Sequence, residues 1–381
     1  MRKLYSFFTV FFFFIFSAAV RGEIGRLSWG SLEIKPRLGA EAEWNDNIYL
    51  ERDDKDSDFI TRIKPGISLE YPFAFHRIKL GYDANLEYYG EHSELDAVNY
   101  TTGGEVLLRS DFFSLSPEIY YASQFRRPQE EVGERDRRMV TRPSISLEKE
   151  LEKITAGIDY TYEQKFFKQD KDQDRKFHRL KLSASWKFSP NLQLGAGYER
   201  TWKRFPENPD RDGDDDLIEV GLSGRLPGEL TGGLGLGYAM IRGVESEDKF
   251  IFKGSISRPL PLGPFTSVAL ELATGCGESV VYAGPYTFYR GRFKLNQAFS
   301  EKLTGSIPFT FTLNDYSAAT TGSVSSKEKI IETGLNISYN FRSWLSFQSA
   351  YLYSQSWTRQ GGEDHERYRE NRIKIGARAA F

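Results

Sequence analysis

The chain has 381 residues, a formal net charge of −2 and one cysteine. That charge balance excludes a nucleic-acid binder built on a basic face, and a lone cysteine, Cys276, excludes a disulfide framework. Mean hydropathy is −0.50, yet aromatics make up 15% of the residues and glycines number 34, a combination that suits a membrane barrel in which half of the strand residues face water.

In chain order, Arg2 and Lys3 open a basic start, Tyr5 to Phe16 is a mostly apolar run, and Ser17, Ala18 and Ala19 are small. This is the layout of a secretory signal, so residues 1–22 are expected to be a signal peptide, cleaved after Ala19 or Gly22. Residues 23–31 then form a short periplasmic lead, and 32–381 carry the fold. After the signal no stretch of roughly 18 apolar residues occurs, so no transmembrane helix is expected.

The first two strands are expected near 32–46 and 58–71. Period-two alternation is plainest in the third, near 76–90. There Ile78, Leu80, Tyr82, Ala84, Leu86 and Tyr88 interleave with Arg77, Lys79, Gly81, Asp83, Asn85 and Glu87. Successive side chains of a strand point to opposite faces, so one face is apolar and the other polar. Strands follow near 98–110, 112–125, 136–149, 152–166, 175–189, 191–204, 216–226, 229–242, 248–259, 265–275, 282–298, 302–314, 328–341, 343–357 and 367–381. Runs of about 10 residues exceed the strands of a soluble sandwich and match a tilted bilayer crossing. The fold class is therefore all-β, a transmembrane antiparallel up-and-down barrel of about 18 strands, with 16 as the alternative.

Short turns are expected at Tyr71-Pro72-Phe73, Ser189-Pro190-Asn191, Leu226-Pro227-Gly228 and Phe341-Arg342-Ser343. Long polar loops are expected at Glu51 to Ser57, Arg126 to Arg135, Pro206 to Asp215 and Ala318 to Ser326. Short periplasmic turns and long outer loops are the outer-membrane pattern, which puts both termini in the periplasm. Tyr88, Tyr89, Trp186, Phe188, Tyr339, Phe341, Tyr353 and Trp357 lie near strand ends and are expected to form interfacial girdles.

The last strand places Ile373, Ile375, Ala377, Ala379 and Phe381 toward lipid. A terminal phenylalanine after such alternation resembles the signal by which outer-membrane barrels are recognised by their assembly machinery, so Phe381 is the expected assembly residue.

The segment Glu43-Trp44-Asn45-Asp46-Asn47-Ile48-Tyr49-Leu50, with Asp58-Phe59-Ile60 through Pro65-Gly66-Ile67-Ser68-Leu69, resembles the start of a family of outer-membrane β-barrel porins found with exopolysaccharide gene clusters. The resemblance implies a barrel in polysaccharide export or surface display, with polysaccharide export components as partners. It brings no catalytic residues.

The same alternation assigns the pore lining. Arg290, Arg292, Lys294, Arg372, Lys374, Arg378, Arg179 and Lys181 fall on the polar face, and rows of Lys and Arg suit the passage of anions. Facing charges could equally pair across strands and fill the interior. Asp210, Asp212 and Asp214 flank Gly213 in an expected outer loop, a spacing that could hold Ca²⁺, though the full calcium loop is missing; no other cofactor is expected. His92 and His365 fall in expected outer loops without a nucleophile motif, so no enzyme activity is expected. The expected function is an outer-membrane channel for an anionic polysaccharide or polar solute, with a non-conducting scaffold for surface polysaccharide or partner proteins as the alternative. A lipid-active hydrolase ranks third. Outer-membrane lipid and lipopolysaccharide are the expected surroundings.

Overall fold

The computed structural model describes residues 27–125, 137–169, 171–243, 246–260, 265–278, 285–316, 326–360 and 363–380. The expected signal peptide, the loop at Arg126 to Arg135, most of the loop at Ala318 to Ser326, and Phe381 lie outside the described residues.

The chain is almost entirely strand. A three-residue β1 (Leu27–Trp29) is followed by β2 (Leu32–Asn45), β3 (Asp58–Phe73), β4 (His76–Tyr89), β5 (Ala97–Arg109), β6 (Ser114–Phe125), β7 (Arg137–Glu150), β8 (Ile154–Phe167), β9 (Arg175–Lys187) and β10 (Leu192–Arg204). Then come β11 (Gly213–Leu226), β12 (Leu230–Arg242), β13 (Glu247–Leu260), β14 (Thr266–Glu278), β15 (Pro285–Ala298), β16 (Leu303–Tyr316), β17 (Ser326–Arg342), β18 (Leu345–Gln360) and β19 (Glu363–Ala380). From β2 onward each strand pairs antiparallel with its sequence neighbour, and β19 returns to β2, from Arg372↔Asn45 to Ala380↔Arg37. The result is a closed ring of 18 strands, β2 to β19. Closure removes the unpaired edges that an open sheet would present to lipid. β1 lies outside the ring, a hairpin on the start of β2 with Trp29 opposite Leu32.

The apolar face points outward, as the alternation requires. Leu80, Ile158, Leu182, Leu236 and Ile375 are all exposed. An apolar belt this continuous is stable only against lipid. Aromatic residues finish the belt at both ends. Trp186, Phe188, Tyr339, Phe341 and Phe347 are exposed near the short turns. Toward the long loops, outward tyrosines hand their hydroxyls to polar neighbours: Tyr160 to His178 at 2.8 Å, Tyr198 to Asp216 at 2.6 Å, Tyr238 to Asp248 at 2.9 Å and Tyr351 to Asn371 at 2.7 Å. A ring with an apolar body and a wet tip belongs at that boundary. Tyr89 departs from the expectation. It shares the inward face with Glu87 and is 8% exposed, packed with Ile48 and Ile60.

Two turn positions also differ. Tyr71-Pro72-Phe73 remains in β3, and the hairpin turns at Ala74, whose φ is +50°; a two-residue connection needs a left-handed residue to match the twist of its strands. β11 begins at Gly213 rather than near 216, so Asp214, Asp215 and Asp216 are strand residues.

Three of the loops at the long-loop end close in one way. An aromatic at the end of the incoming strand, or one residue past it in the case of Phe205, donates its backbone N–H to an aspartate seven residues later: Tyr89 to Asp96 at 2.8 Å, Phe167 to Asp174 at 2.7 Å and Phe205 to Asp212 at 2.7 Å. A 3₁₀ turn precedes each aspartate, at Ser93–Leu95, Lys171–Gln173 and Pro209–Arg211. Each aspartate N–H returns to the carbonyl three residues back.

Candidate pore lining

The barrel interior is polar, and its two sides differ. Where the ring closes, charged side chains are tied to one another. Glu43, 1% exposed, accepts from Arg62 at 2.7 Å and pairs with Lys374 at 2.8 Å. Arg62 also reaches Glu41 at 3.1 Å, and Lys64 pairs with Glu41 at 2.6 Å. Arg372 lies 3.5 Å from Glu370, which accepts from the Asn45 amide at 2.9 Å. Buried charges persist only when paired and hydrogen-bonded in this way.

The Asn-Asp-Asn segment locks the same seam from above. Asp46 accepts the backbone and side-chain N–H groups of Asn371, both at 2.6 Å. Asn47 accepts from Glu51 N–H at 2.9 Å and donates to the carbonyls of Glu51 and Arg369 at 2.6 and 3.0 Å. The following Ile48 turns onto Ile60 and Tyr89, so this loop folds into the mouth.

Across the ring, the wall is open and lined by small residues. Gly195, Gly197, Gly221, Gly233, Gly235, Ser183 and Ser185 border a cavity of about 1140 Å³ that also meets Lys181, Lys253, Glu219, Glu271 and Arg290. A smaller recess of about 530 Å³ lies in the seam wall, bordered by Arg37, Lys64, Asp83, Asn85, Gln348 and Arg378.

All eight sequence-predicted cations take the inward register, but they do not act as one group. The three on β15 are divided: Arg292 lies 3.4 Å from Glu271, the Arg290 guanidinium sits 4.9 Å from the Phe288 ring centre, and Lys294 makes no ion pair among the described residues. Arg179 pairs with Glu199 at 3.1 Å. Lys181 opens onto the large cavity. Arg372 and Lys374 belong to the seam network, and Arg378 stands in the seam recess.

A further concentration of cations is one the sequence reading caught only at Arg179. Near the long loops, the inward face of β7 to β11 carries Arg138, Arg142, Lys165, Arg175, Arg179 and Lys203 against Glu163, Glu199 and Asp215. Arg142 and Lys165 share Glu163, and Lys203 holds Asp215 at 2.7 Å. Lys165 stands directly opposite Arg175 in the ladder, a like-charge pair that is unfavourable by itself. Both cations flank the Phe177 ring, at 5.8 and 5.5 Å. Phe205, 1% exposed, packs edge-on against Phe177 and carries Arg211 at 4.6 Å. The signal was in the sequence: Arg138 and Arg142 share the parity of Glu148, opposite to the outward Ile145 and Leu147.

Asp210, Asp212 and Asp214 are not brought together. Asp212 caps Phe205, Asp214 pairs with Arg200 and Arg204 at 3.3 and 3.2 Å, and Arg204 also lies 3.7 Å from Asp212, so a guanidinium stands between these two carboxylates. Because β11 starts at Gly213, Asp214 and Asp216 take one face and Asp215 the other. No group of three or more metal-ligating side chains forms among the described residues. His92 Nδ1 donates to the Asp58 carboxylate at 2.9 Å, with Asp56 4.0 Å from its other nitrogen, so carboxylates face both nitrogens.

Solved structures with the same fold are found at low identity. OpdK of Pseudomonas aeruginosa aligns with TM-score 0.56 and 12% identity over 91% of this chain and 99% of its own. OpdL of the same organism gives 0.54 and 12% over 93% and 100%. The siderophore receptor PirA, also from that organism, gives 0.50 and 12% over 91% and 80%. No curated protein matches the sequence. Residues 25–381 match the family described as "Putative beta-barrel porin 2", and a closed ring of 18 amphipathic strands around a polar interior is the architecture such a family requires: the chain belongs to this family of outer-membrane porins, which are channels rather than enzymes.

Proposed function

We propose that the barrel conducts anionic polar solutes across the outer membrane. The observation that supports this reading is the surplus of cations on β7 to β11 at the long-loop end, six against three acids. It faces, across the ring, a seam where Glu41, Glu43, Glu87 and Glu370 offset Arg62, Lys64, Arg372 and Lys374. Unbalanced charge on a low-dielectric wall concentrates counter-ions and raises their access rate. The short-turn end, where β2 begins and β19 ends, is the periplasmic end, and the capped loops face outward. An acidic polysaccharide is the polymeric form of the same cargo, supported by the resemblance of Glu43 to Leu69 to porins of exopolysaccharide clusters.

Single-channel recording in planar bilayers under a KCl gradient tests this. The native barrel is expected to give discrete steps and an anion-selective reversal potential. Replacing Arg138, Lys165 and Arg175 with glutamine should move that potential toward cations by more than the same change at Arg290, Arg292 and Lys294. A folded barrel without discrete steps would favour the non-conducting scaffold instead.

A further inference from the structure

The seam recess is not explained by charge selectivity, because most of its ions are already satisfied. Arg37 donates to Asp83 at 2.7 Å, and Lys64 is held by Glu41 at 2.6 Å. Three other residues on its border keep a polar group without a partner among the described residues. Arg378 makes no ion pair or hydrogen bond among the described residues, and neither does the Gln348 amide. Asn85 donates to Glu87 at 2.6 Å, but its Oδ1 is buried with no donor. A buried acceptor left without a donor destabilises the fold unless something reaches it.

These groups sit in register. Arg378 lies opposite Gly39, Gly39 opposite Lys64, and Asn85 opposite Asn99 on the next strand. Arg378 on β19 and Asn85 on β4 are three strands apart, about 14 Å at a strand spacing of about 4.8 Å. Of the two residues that lie between them in register, Gly39 has no side chain and Lys64 is drawn aside to Glu41. A Cβ on Gly39 would meet Lys64 Cβ at 3.3 Å, and one on Gly376 would meet the Ala40 carbonyl at 3.0 Å. The recess they border has a volume of about 530 Å³, room for a molecule of monosaccharide size.

We infer that this recess binds a polyhydroxylated carboxylate, a sugar acid of monosaccharide size; the inference rests on the reading of the barrel as a conduit for anions. Arg378 takes the carboxylate in its planar fork. Asn85 Oδ1 accepts a ring hydroxyl, and the Gln348 amide serves a second. Glu41 and Asp83, already neutralised by Lys64 and Arg37, accept hydroxyls without repelling the ligand.

Calorimetry on the full chain folded in detergent tests it, with sodium glucuronate, glucose and sodium acetate as probes. Glucuronate should bind at least tenfold more tightly than glucose or acetate. Arg378→Gln should weaken glucuronate at least tenfold and leave glucose unchanged, with heat-modifiable mobility reporting that the barrel is folded. Gln348→Leu, on the neighbouring strand, is the second variant should Arg378→Gln not fold, and it should weaken glucuronate several-fold. Equal affinity for acetate and glucuronate, or full affinity in both variants, would overturn the inference. A barrel that conducts anions but does not bind glucuronate removes the recess alone. One that binds glucuronate but passes no current removes the channel reading instead.

Discussion

Leu80 and Lys79 are neighbours in β4 with opposite tasks. Leu80 is half exposed on the lipid face between Leu69 and Gly104, and Lys79 lies inward between Glu70 and Glu105. Leu80→Arg should cost on the order of 2–4 kcal/mol near the bilayer midplane, whereas Lys79→Leu changes only the lining. Urea unfolding in lipid vesicles checks the asymmetry, and equal costs would show that the register is shifted by one residue. His92 offers a second test at this scale. Its hydrogen bond to Asp58 raises its pKa above the usual histidine value, with Asp56 and Glu94 adding to the effect and Tyr49 packed on the ring. A raised folded-state pKa means that the stabilisation is fully present below the unfolded value of about 6.5 and is lost as pH rises through the folded one. Limited proteolysis of the 46–57 and 90–96 loops should therefore accelerate as pH climbs through the neutral range. His92→Gln should flatten that dependence; a native profile already flat would remove the link.

The loops behave as elements in their own right. In three of them an aromatic fixes the end of a strand, a 3₁₀ turn reverses the chain, and an aspartate ties the aromatic's N–H. The carboxylate satisfies an amide that the ladder has just released, much as a side-chain cap does at a helix start. Two of these aromatics, Tyr89 and Phe205, are buried on the inward side, so the caps also hold apolar groups across the mouth. Asp212→Ala should cost about 1–2 kcal/mol and speed amide exchange over residues 205–212, while Asp212→Asn, which keeps an acceptor, should recover part of it. Unchanged exchange in the alanine variant would show that Phe205 is held by its ring contacts alone.

At the scale of the whole molecule, closure sets the division of labour. The ring shuts through β2 and β19, and side-chain bonds crowd there: Asp46 to Asn371, Asn45 to Glu370, Glu43 to Lys374. The opposite side has no seam to hold and carries glycine and serine over much of its inner face. Room for solute therefore opens across from the seam, in the cavity of about 1140 Å³. Selectivity should follow the same geography. Glutamine at Arg372 and Lys374 should reduce the yield of folded barrel more than it moves the reversal potential, because it uncovers Glu43 and Glu370. Heat-modifiable mobility alongside bilayer recording separates the two effects, and a large potential shift without loss of folded yield would contradict a structural role for the seam pair.

The sequence by itself determined the barrel and the two faces of its plainest strands, and brought the strand count to about 18 with 16 left open. It could do so because a strand has period two and because lipid on one side and water on the other make that period visible in residue type. It did not determine which charges remain available. Lys374 and Lys294 have the same parity and the same chemistry, yet Lys374 meets Glu43 at 2.8 Å and Lys294 meets no acid among the described residues. Pairing depends on which strand lies alongside and at what stagger, and for β2 that neighbour is β19, more than 300 residues away in the chain. The Asp-rich segment shows the same limit. Read along the chain, Asp210, Asp212 and Asp214 are a cluster. Asp210 lies in the 3₁₀ turn, Asp212 caps Phe205, and of the three only Asp214 is in β11, with Arg204 between the last two carboxylates at 3.7 and 3.2 Å, because the turn and the sheet, not the order along the chain, decide who meets whom.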